Sequence, residues 1–221
     1  MRNKFDMQLE LLNHQLIHMG ELCEIAINRA TEALQEGSMK KAKDVMEADE
    51  EIDQMEKNIE TLCLKLLLQQ QPVARDLRQI SAALKMITDM ERIGDQASDI
   101  SEIIITAGES EAVDIQEIGE MASAAAKMVR DSVSAYVEKD LELARKVMEA
   151  DDTIDQMFED IKNSIMQLIA KGGDMKAGSK AVDLIMVTKY LERIGDHATN
   201  IAEWVEFSIT GIHKGQHMQE H

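Results

Sequence analysis

Apolar residues recur along this chain with the period of an α-helix and do not alternate as they do in a β-strand. The first segment shows the pattern at intervals of three or four residues, at Leu9, Leu12, Leu16, Met19, Leu22 and Ala26. His14 and His18 fall on the opposite side of this predicted helix, so we do not expect them to bind a metal. The pattern predicts long amphipathic helices and no sheet.

Helix-breaking residues divide the chain into six predicted helices. The breaks fall at Gly37-Ser38, Gln71-Pro72 and Gly108 in the first half, and at Lys139-Asp140, Gly172-Gly173 and Gly211 in the second. Long helices joined by short connections run antiparallel to their neighbours. We therefore predict an all-α fold of two three-helix bundles, over residues 1–107 and 108–212, followed by a polar tail at 213–221.

The two halves read as tandem copies of one unit. VMEADEEIDQM at residues 45–55 recurs as VMEADDTIDQM at 147–157, and ERIGD occurs at both 91–95 and 192–196. The first pair is offset by 102 positions and the second by 101, which indicates a duplication with one inserted or deleted residue. The two bundles are therefore predicted to be pseudo-symmetric.

Composition limits the classes of function. Aromatic residues make up 3% of the chain and hydrophobic residues 44%, a balance that is typical of helical proteins. The net charge of −18 argues against nucleic acid as a partner, because phosphate backbones are bound by basic surfaces. No apolar run approaches the roughly 20 residues that span a bilayer, and no signal-peptide core is present, so we expect a cytoplasmic protein.

The sulfur-containing residues are predicted to fill the core. Cys23 and Cys63 lie singly in apolar stretches without paired spacing, so we expect reduced, buried thiols. Most of the 16 methionines fall at core positions. The sequence shows no Ser-His-Asp constellation, no phosphate-binding glycine loop and no Glu-x-x-His pair, so we expect no enzyme.

Acidic residues line one flank of the apolar stripe on four predicted helices. Successive residues of a helix are about 100° apart around its axis. On the third predicted helix, this places the acids in line with an apolar face and places Gly94 on the stripe that packs against neighbouring helices. The acids and the amide of these four flanks are Asp49, Asp53, Glu91, Asp95, Asp99, Asp151, Asp155, Glu192, Asp196 and Asn200. Arg92 and Arg193 point about 100° away from the adjacent glutamate and are expected to serve neighbouring helices.

Acids placed in this way repel one another, so we expect bound cations to compensate. Carboxylate oxygens favour hard or borderline ions, and the choice among Mg, Ca, Mn, Fe and Zn stays open. Three classes of function follow from the residues. They are a regulatory adaptor, a metal-storage or metal-dependent hydrolytic protein, and a helical scaffold without metal.

The tandem halves, with QPVARDLR at 71–78, MERIGDQASDI at 90–100 and YLERIGDHATNIAE at 190–203, resemble the PhoU family over nearly the whole chain. The family motif is an acid followed by three residues and Asp. It matches Asp49 with Asp53, Glu91 with Asp95, Asp95 with Asp99, Asp151 with Asp155, and Glu192 with Asp196. Asn200 departs from the motif, which predicts a weaker second site.

The resemblance implies divalent or trivalent metal ions (Fe, Zn, Mn or Mg) in multinuclear carboxylate sites on these motifs. It further implies a cytoplasmic, non-enzymatic negative regulator of phosphate uptake and of the phosphate-starvation response. Such a protein is an adaptor between the ATPase subunit of the phosphate ABC transporter and a sensor histidine kinase. It would meet the membrane only through these partners, and both a monomer and a homodimer stay open.

Overall fold

The computed structural model describes residues 2–69, 72–108, 116–172 and 174–212. Within these ranges the chain forms six α-helices and no strand, which confirms the predicted all-α fold. The helices are α1 Arg2–Glu36, α2 Met39–Gln69, α3 Ala74–Ala107, α4 Gln116–Glu138, α5 Leu141–Ala170 and α6 Met175–Thr210. The predicted polar tail at 213–221 lies outside the described residues.

The helices end at the predicted breaks. Gly37, Gly108 and Gly211 adopt φ values of 63°, 76° and 79° directly after α1, α3 and α6, a conformation that glycine tolerates best. Lys139 adopts φ 57° after α4, at the position that corresponds to Gly37 in the repeat. Of the other predicted breaks, Pro72 and Gly172 lie between helices, whereas Gln71 and Gly173 lie outside the described residues.

The two bundles share one hydrophobic core. Helices α1, α2 and α3 pack against one another, as do α4, α5 and α6, while α3 packs on α6 and α1 packs on α4. The predicted stripe of α1 faces this core, with Leu12, Leu16 and Met19 fully buried. A continuous cluster of buried residues runs through all six helices. The domain boundaries at 107 and 108 stay a prediction.

Helices α3 and α6 are antiparallel and related by the repeat. Asn200 Nδ2 donates to Asp89 Oδ1 at 3.1 Å, and the Tyr190 hydroxyl bonds Asp99. Because the repeat offset is 101, Asp89 corresponds to Tyr190 and Asp99 corresponds to Asn200. The two contacts are therefore copies of one another across a pseudo-two-fold axis between the bundles.

Both cysteines are free and buried, as predicted. Burial, reinforced by the nearby Asp49 charge, raises the pKa of Cys23 to about 12, and burial followed by the Glu60 charge does the same for Cys63. The Cys23 thiol donates to the Met90 carbonyl at 3.3 Å. Of the helices in the described ranges, none is both long and apolar enough to cross a membrane.

Candidate functional site: two carboxylate clusters

The structure brings all five predicted acids of the first half together between α2 and α3. Burial raises the pKa of Asp49 to about 6, and repulsion from Asp95, Asp53, Glu91 and Asp99 adds to the rise. Burial also raises the pKa of Glu91, with the Asp95 charge as the next cause. We call these five residues the first cluster. Asp49 lies at its centre, since the charges of all four other acids raise its pKa.

A glycine on α3 makes room for this arrangement. A Cβ built on Gly94 would lie 2.6 Å from Asp49 Oδ1 and 3.0 Å from Ile52 Cδ1, so a side chain at this position would displace both groups. In the second half a Cβ on Gly195 would lie 3.1 Å from Ile154 Cγ2. Both copies of ERIGD therefore place their glycine where α3 and α6 approach a neighbouring helix closely, as the packing stripe predicts.

Four of the five predicted second-half residues meet between α5 and α6. Burial raises the pKa of Asp196, and the charges of Glu192, Asp151 and Asp155 add to the rise, while Lys189 opposes it. Lys189 also forms an ion pair with Glu192. We call these four acids the second cluster, the counterpart of the first cluster in the repeat.

The central acid of the second cluster is incompletely satisfied. Burial raises the pKa of Asp151, and the Thr199 hydroxyl lies close enough to offset part of that rise. Among the described residues, however, neither the hydroxyl nor Asp151 Oδ1 makes a hydrogen bond of good geometry, and both atoms are buried. A buried carboxylate oxygen without a donor is costly, so this oxygen can readily accept a cation.

Asn200 does not join the second cluster. Its amide donates to Asp89 of α3, and His197 Nδ1 lies 2.9 Å from the same Asp89 oxygen. This geometry does not support the prediction that Asn200 is a metal ligand, because the side chain is engaged across the α3–α6 interface. An aspartate at this position would face the Asp89 carboxylate, which explains the amide in place of an acid.

Arg92 acts on the neighbouring helix as expected, since its charge lowers the pKa of Glu56 on α2 against the raising effect of burial, but it also contacts acids of its own helix. Arg92 Nη1 lies 2.9 Å from Asp95 Oδ2, and its Nε lies 3.4 Å from Glu91 Oε2, so it serves two acids of its own helix. An arginine side chain is long enough to reach the residue three positions ahead in a helix. Arg193 also serves a neighbouring helix as predicted, since it lowers the pKa of Asp99 against the raising effect of burial.

The sequence reasoning missed Asp89 and the bonding role of His197. The signal was present in the repeat, where Gln96 corresponds to His197 and Asp99 to Asn200. These two departures lie one helical turn apart and bind the same carboxylate. A position-by-position comparison of the two halves would therefore have singled out His197 and Asn200 as residues specific to the second half.

The donor chemistry of the clusters fits a hard cation. The donors are carboxylate oxygens whose charges raise one another's pKa, and Asp151 Oδ1 among them is buried with neither a hydrogen bond nor an ion pair in the described part of the chain. Within the same ranges, no three His, Cys, Asp or Glu side chains already lie at metal-ligand geometry. Binding a cation would therefore require these carboxylates to rotate towards one another.

Comparison with known proteins agrees with the duplicated architecture. A family model described as "PhoU domain" matches residues 16–104 and again 118–205. The "Phosphate-specific transport system accessory protein PhoU homolog" of Clostridium acetobutylicum is 37% identical over 212 residues, which cover 95% of this chain and 96% of that protein. The relative of the same name from Pseudomonas aeruginosa is 36% identical and covers 94% of this chain and 86% of its own.

Solved structures share the fold over the same length. The crystal structure of PhoU from Pseudomonas aeruginosa superposes with a TM-score of 0.86 at 35% identity, covering 94% of this chain and all of that one (100%). The phosphate transport system regulatory protein PhoU from Streptococcus pneumoniae superposes with a TM-score of 0.85 at 23% identity, covering 94% and 98%. The second likeness concerns the fold alone.

Proposed function

This chain belongs to the PhoU family, and on that premise we propose that it is a cytoplasmic adaptor that restrains phosphate uptake when phosphate is ample. A role in the regulation of phosphate transport follows from the relatives, which are named as accessory proteins of the phosphate-specific transport system. The adaptor would contact the ATPase subunit of the phosphate ABC transporter and a sensor histidine kinase. It would restrain both uptake and the starvation response, without catalysing a reaction.

The observation that carries the proposal is the coverage of the comparison. The similarity to the Clostridium acetobutylicum relative extends over 95% of this chain and 96% of that protein. The alignment therefore spans both copies of the repeated unit. A chain that keeps the complete architecture of a regulatory family is best explained by the role of that family.

The two clusters are proposed to bind the cations of this adaptor. Asp49, Asp53, Glu91, Asp95 and Asp99 would hold an ion in the first bundle. Asp151, Asp155, Glu192 and Asp196 would hold one in the second. A bound Fe, Zn, Mn or Mg ion would supply positive charge between the facing helices. The protein side chains would orient the ion and fix α2 against α3, and α5 against α6.

The structure gives a reason to prefer this role over a metal-dependent hydrolase. Hydrolysis at a carboxylate-bound metal needs a base beside the site. His197 follows Asp196 in the chain, but its Nδ1 is engaged with Asp89 on the α3 side. The histidine closest in sequence to the second cluster is therefore held by a contact between the bundles.

Capture from purified components tests the adaptor role. The full chain is immobilised and presented with the transporter ATPase subunit and the cytoplasmic part of the sensor kinase, at physiological salt and high phosphate. We expect both to be retained, and retained less by a variant carrying Asp49→Asn and Asp151→Asn. Glu47→Gln, at an exposed position of α2, is the matched control. Retention of neither partner by the wild-type chain would refute the proposal.

A further inference from the structure

A basic pocket lies away from the carboxylate clusters, where the start of α3, the turn after α4 and the end of α6 meet. Its volume is about 260 Å³, and its lining residues are Arg75, Arg78, Gln79, Lys139, Ser208 and Ile209. Three of these six side chains are cationic and none is acidic. We call this cavity the arginine pocket. In a chain of net charge −18, such a concentration of positive charge requires an explanation.

The three cations of the arginine pocket have no anionic partner in the described part of the chain. The ion pairs found there are made by other lysines and arginines. The Nε of Arg78 is buried and donates no hydrogen bond to any described residue. A buried guanidinium donor without an acceptor is costly, and an anion in the pocket would satisfy it.

Of the three acids adjacent to these cations in sequence, Glu138 is exposed to solvent, and the other two are engaged at helix ends. Asp76 Oδ2 accepts from the Val73 backbone N–H at 3.3 Å, at the start of α3. Asp140 Oδ1 accepts from the Leu143 N–H at 2.9 Å and caps α5. Both carboxylates are therefore committed to helix N-termini, and the adjacent cations keep their charge available.

Lys139 is held in the pocket at a conformational cost. Its φ of 57° lies in the left-handed region, which glycine adopts more easily than a residue with a Cβ. The equivalent residue in the first half is Gly37. The buried Tyr136 hydroxyl donates to the Gln79 carbonyl at 2.8 Å, which fixes the end of α4 against α3. A lysine kept where glycine is favoured points to a role for its side chain.

The duplication provides an internal comparison. At the pseudo-symmetric position, a larger cavity of about 610 Å³ is lined by Gly37, Lys176 and Ser179, the counterparts of Lys139, Arg75 and Arg78. Lys180, Asp174 and Asp183 also line that cavity, so its two lysines are balanced by two aspartates. The arginine pocket has three cations and no acid in its lining. Net positive charge is therefore a feature of the arginine pocket and not of its counterpart in the repeat.

We propose that the arginine pocket binds inorganic phosphate. Two guanidinium groups and one ammonium group supply charge-assisted hydrogen-bond donors, and the planar guanidinium matches two oxygens of a tetrahedral oxyanion. The geometry of the pocket supports an oxyanion site by itself, and the choice of phosphate among oxyanions rests on the proposed function. Phosphate binding here would couple α3, α4 and α6, which belong to both bundles.

Calorimetric titration of the full chain with inorganic phosphate tests the proposal. We expect one phosphate per chain, with affinity lowered at least about tenfold by Arg78→Gln, because a charge-assisted hydrogen bond is lost. Lys139→Gly should weaken binding while keeping the fold, since glycine relieves the left-handed residue. Lys176→Gln, at the equivalent of Arg75 in the second half, is the matched control and should bind as the wild type does.

Three results would overturn the phosphate site. They are no binding at millimolar phosphate, equal affinity in the Arg78→Gln variant, and equal affinity for sulfate. The second result would place the bound phosphate outside the arginine pocket, since Arg78 lines that pocket. The titration uses no partner protein, so its failure is separate from a failure of the capture experiment.

Discussion

The Asp49 carboxylate occupies the space that a side chain on Gly94 would need, because a Cβ there would lie 2.6 Å from Asp49 Oδ1. This relationship connects the repeated ERIGD motif to the acids of the preceding helix. Without a side chain at position 94, α3 leaves room for Asp49 among four other carboxylates. The glycine therefore contributes to packing and to the electrostatics of the first cluster.

Substitution of Gly94 by alanine should lower the free energy of unfolding, although a Gly→Ala substitution in a helix normally raises it. In an open helical position, Gly→Ala stabilises by about 0.5–1 kcal/mol, and Gly178 has nothing within 4 Å of an added Cβ. We expect Gly178→Ala to raise the free energy of unfolding and Gly94→Ala to lower it by on the order of 1 kcal/mol, with a larger loss for Gly94→Leu. Denaturant unfolding measures all three. Equal gains for the two alanine variants would contradict the close approach.

The first cluster should make the metal-free protein less stable as pH rises from about 4 to about 6. The pKa of Asp49 is raised from 3.8 to about 6 in the folded chain, so the folded state holds a proton that the unfolded state loses in this window. The stabilisation from this proton is therefore complete below the pKa of Asp49 in the unfolded chain. It is lost as the pH rises through the pKa of Asp49 in the folded chain. After discounting for solvent screening, the loss is on the order of 1 kcal/mol.

Asp49→Asn tests this pH dependence. The variant should be more stable than the wild type at pH 7 in the presence of a chelator, and its stability should change less between pH 4 and pH 6. Glu47→Gln, at an exposed position, should leave the wild-type slope in place. A steeper slope in Asp49→Asn than in the wild type would contradict the mutual repulsion of these acids.

Metal content should depend on the acids of α3 and not on the amide of α6. Asp95→Asn together with Asp99→Asn removes two charges from the first cluster, whereas Asn200→Ala removes a side chain that is bonded to Asp89. Elemental analysis of protein purified without chelator or nickel resin should show less metal in the double variant than in Asn200→Ala. Equal metal content in the two would contradict the assignment.

Asn200→Asp should weaken the α3–α6 interface. The new carboxylate would face Asp89, whose side chain is 16% exposed beside His197 at 18%. Loss of the amide donor and the added repulsion should lower the free energy of unfolding by about 1–3 kcal/mol, measured by denaturant unfolding. Asn200→Ala, which loses the donor without adding a charge, should lose less. An unchanged free energy of unfolding in Asn200→Asp would contradict this arrangement.

The sequence predicts the helices and the acidic flanks well because both depend on spacing within one helix. Leu12, Leu16 and Met19 are buried as their spacing predicts, and Gly94 lies on the stripe that meets α2. The angle of a residue on its own helix does not tell which neighbour its side chain reaches. For that reason the contact of Arg92 with Asp95 and the contact of Asn200 with Asp89 were found only in the structure.

The arginine pocket shows a second limit of sequence reasoning. Arg75 and Arg78 are in α3, whereas Lys139 follows α4 and Ser208 is in α6. No spacing rule within a helix brings these residues together, because their proximity depends on how the two bundles are joined. The internal repeat shows only that Gly37 and Lys139 differ, whereas the fold shows that Lys139 lies beside Arg75 and Arg78.

The rate of phosphate uptake in cells that lack this chain measures its restraining role. With ample phosphate, uptake should stay high in these cells and return to the restrained level when the wild-type chain is restored. A chain carrying Asp49→Asn and Asp151→Asn should restore less restraint than one carrying Glu47→Gln. Unchanged uptake in cells without the chain would show that the protein does not restrain phosphate transport.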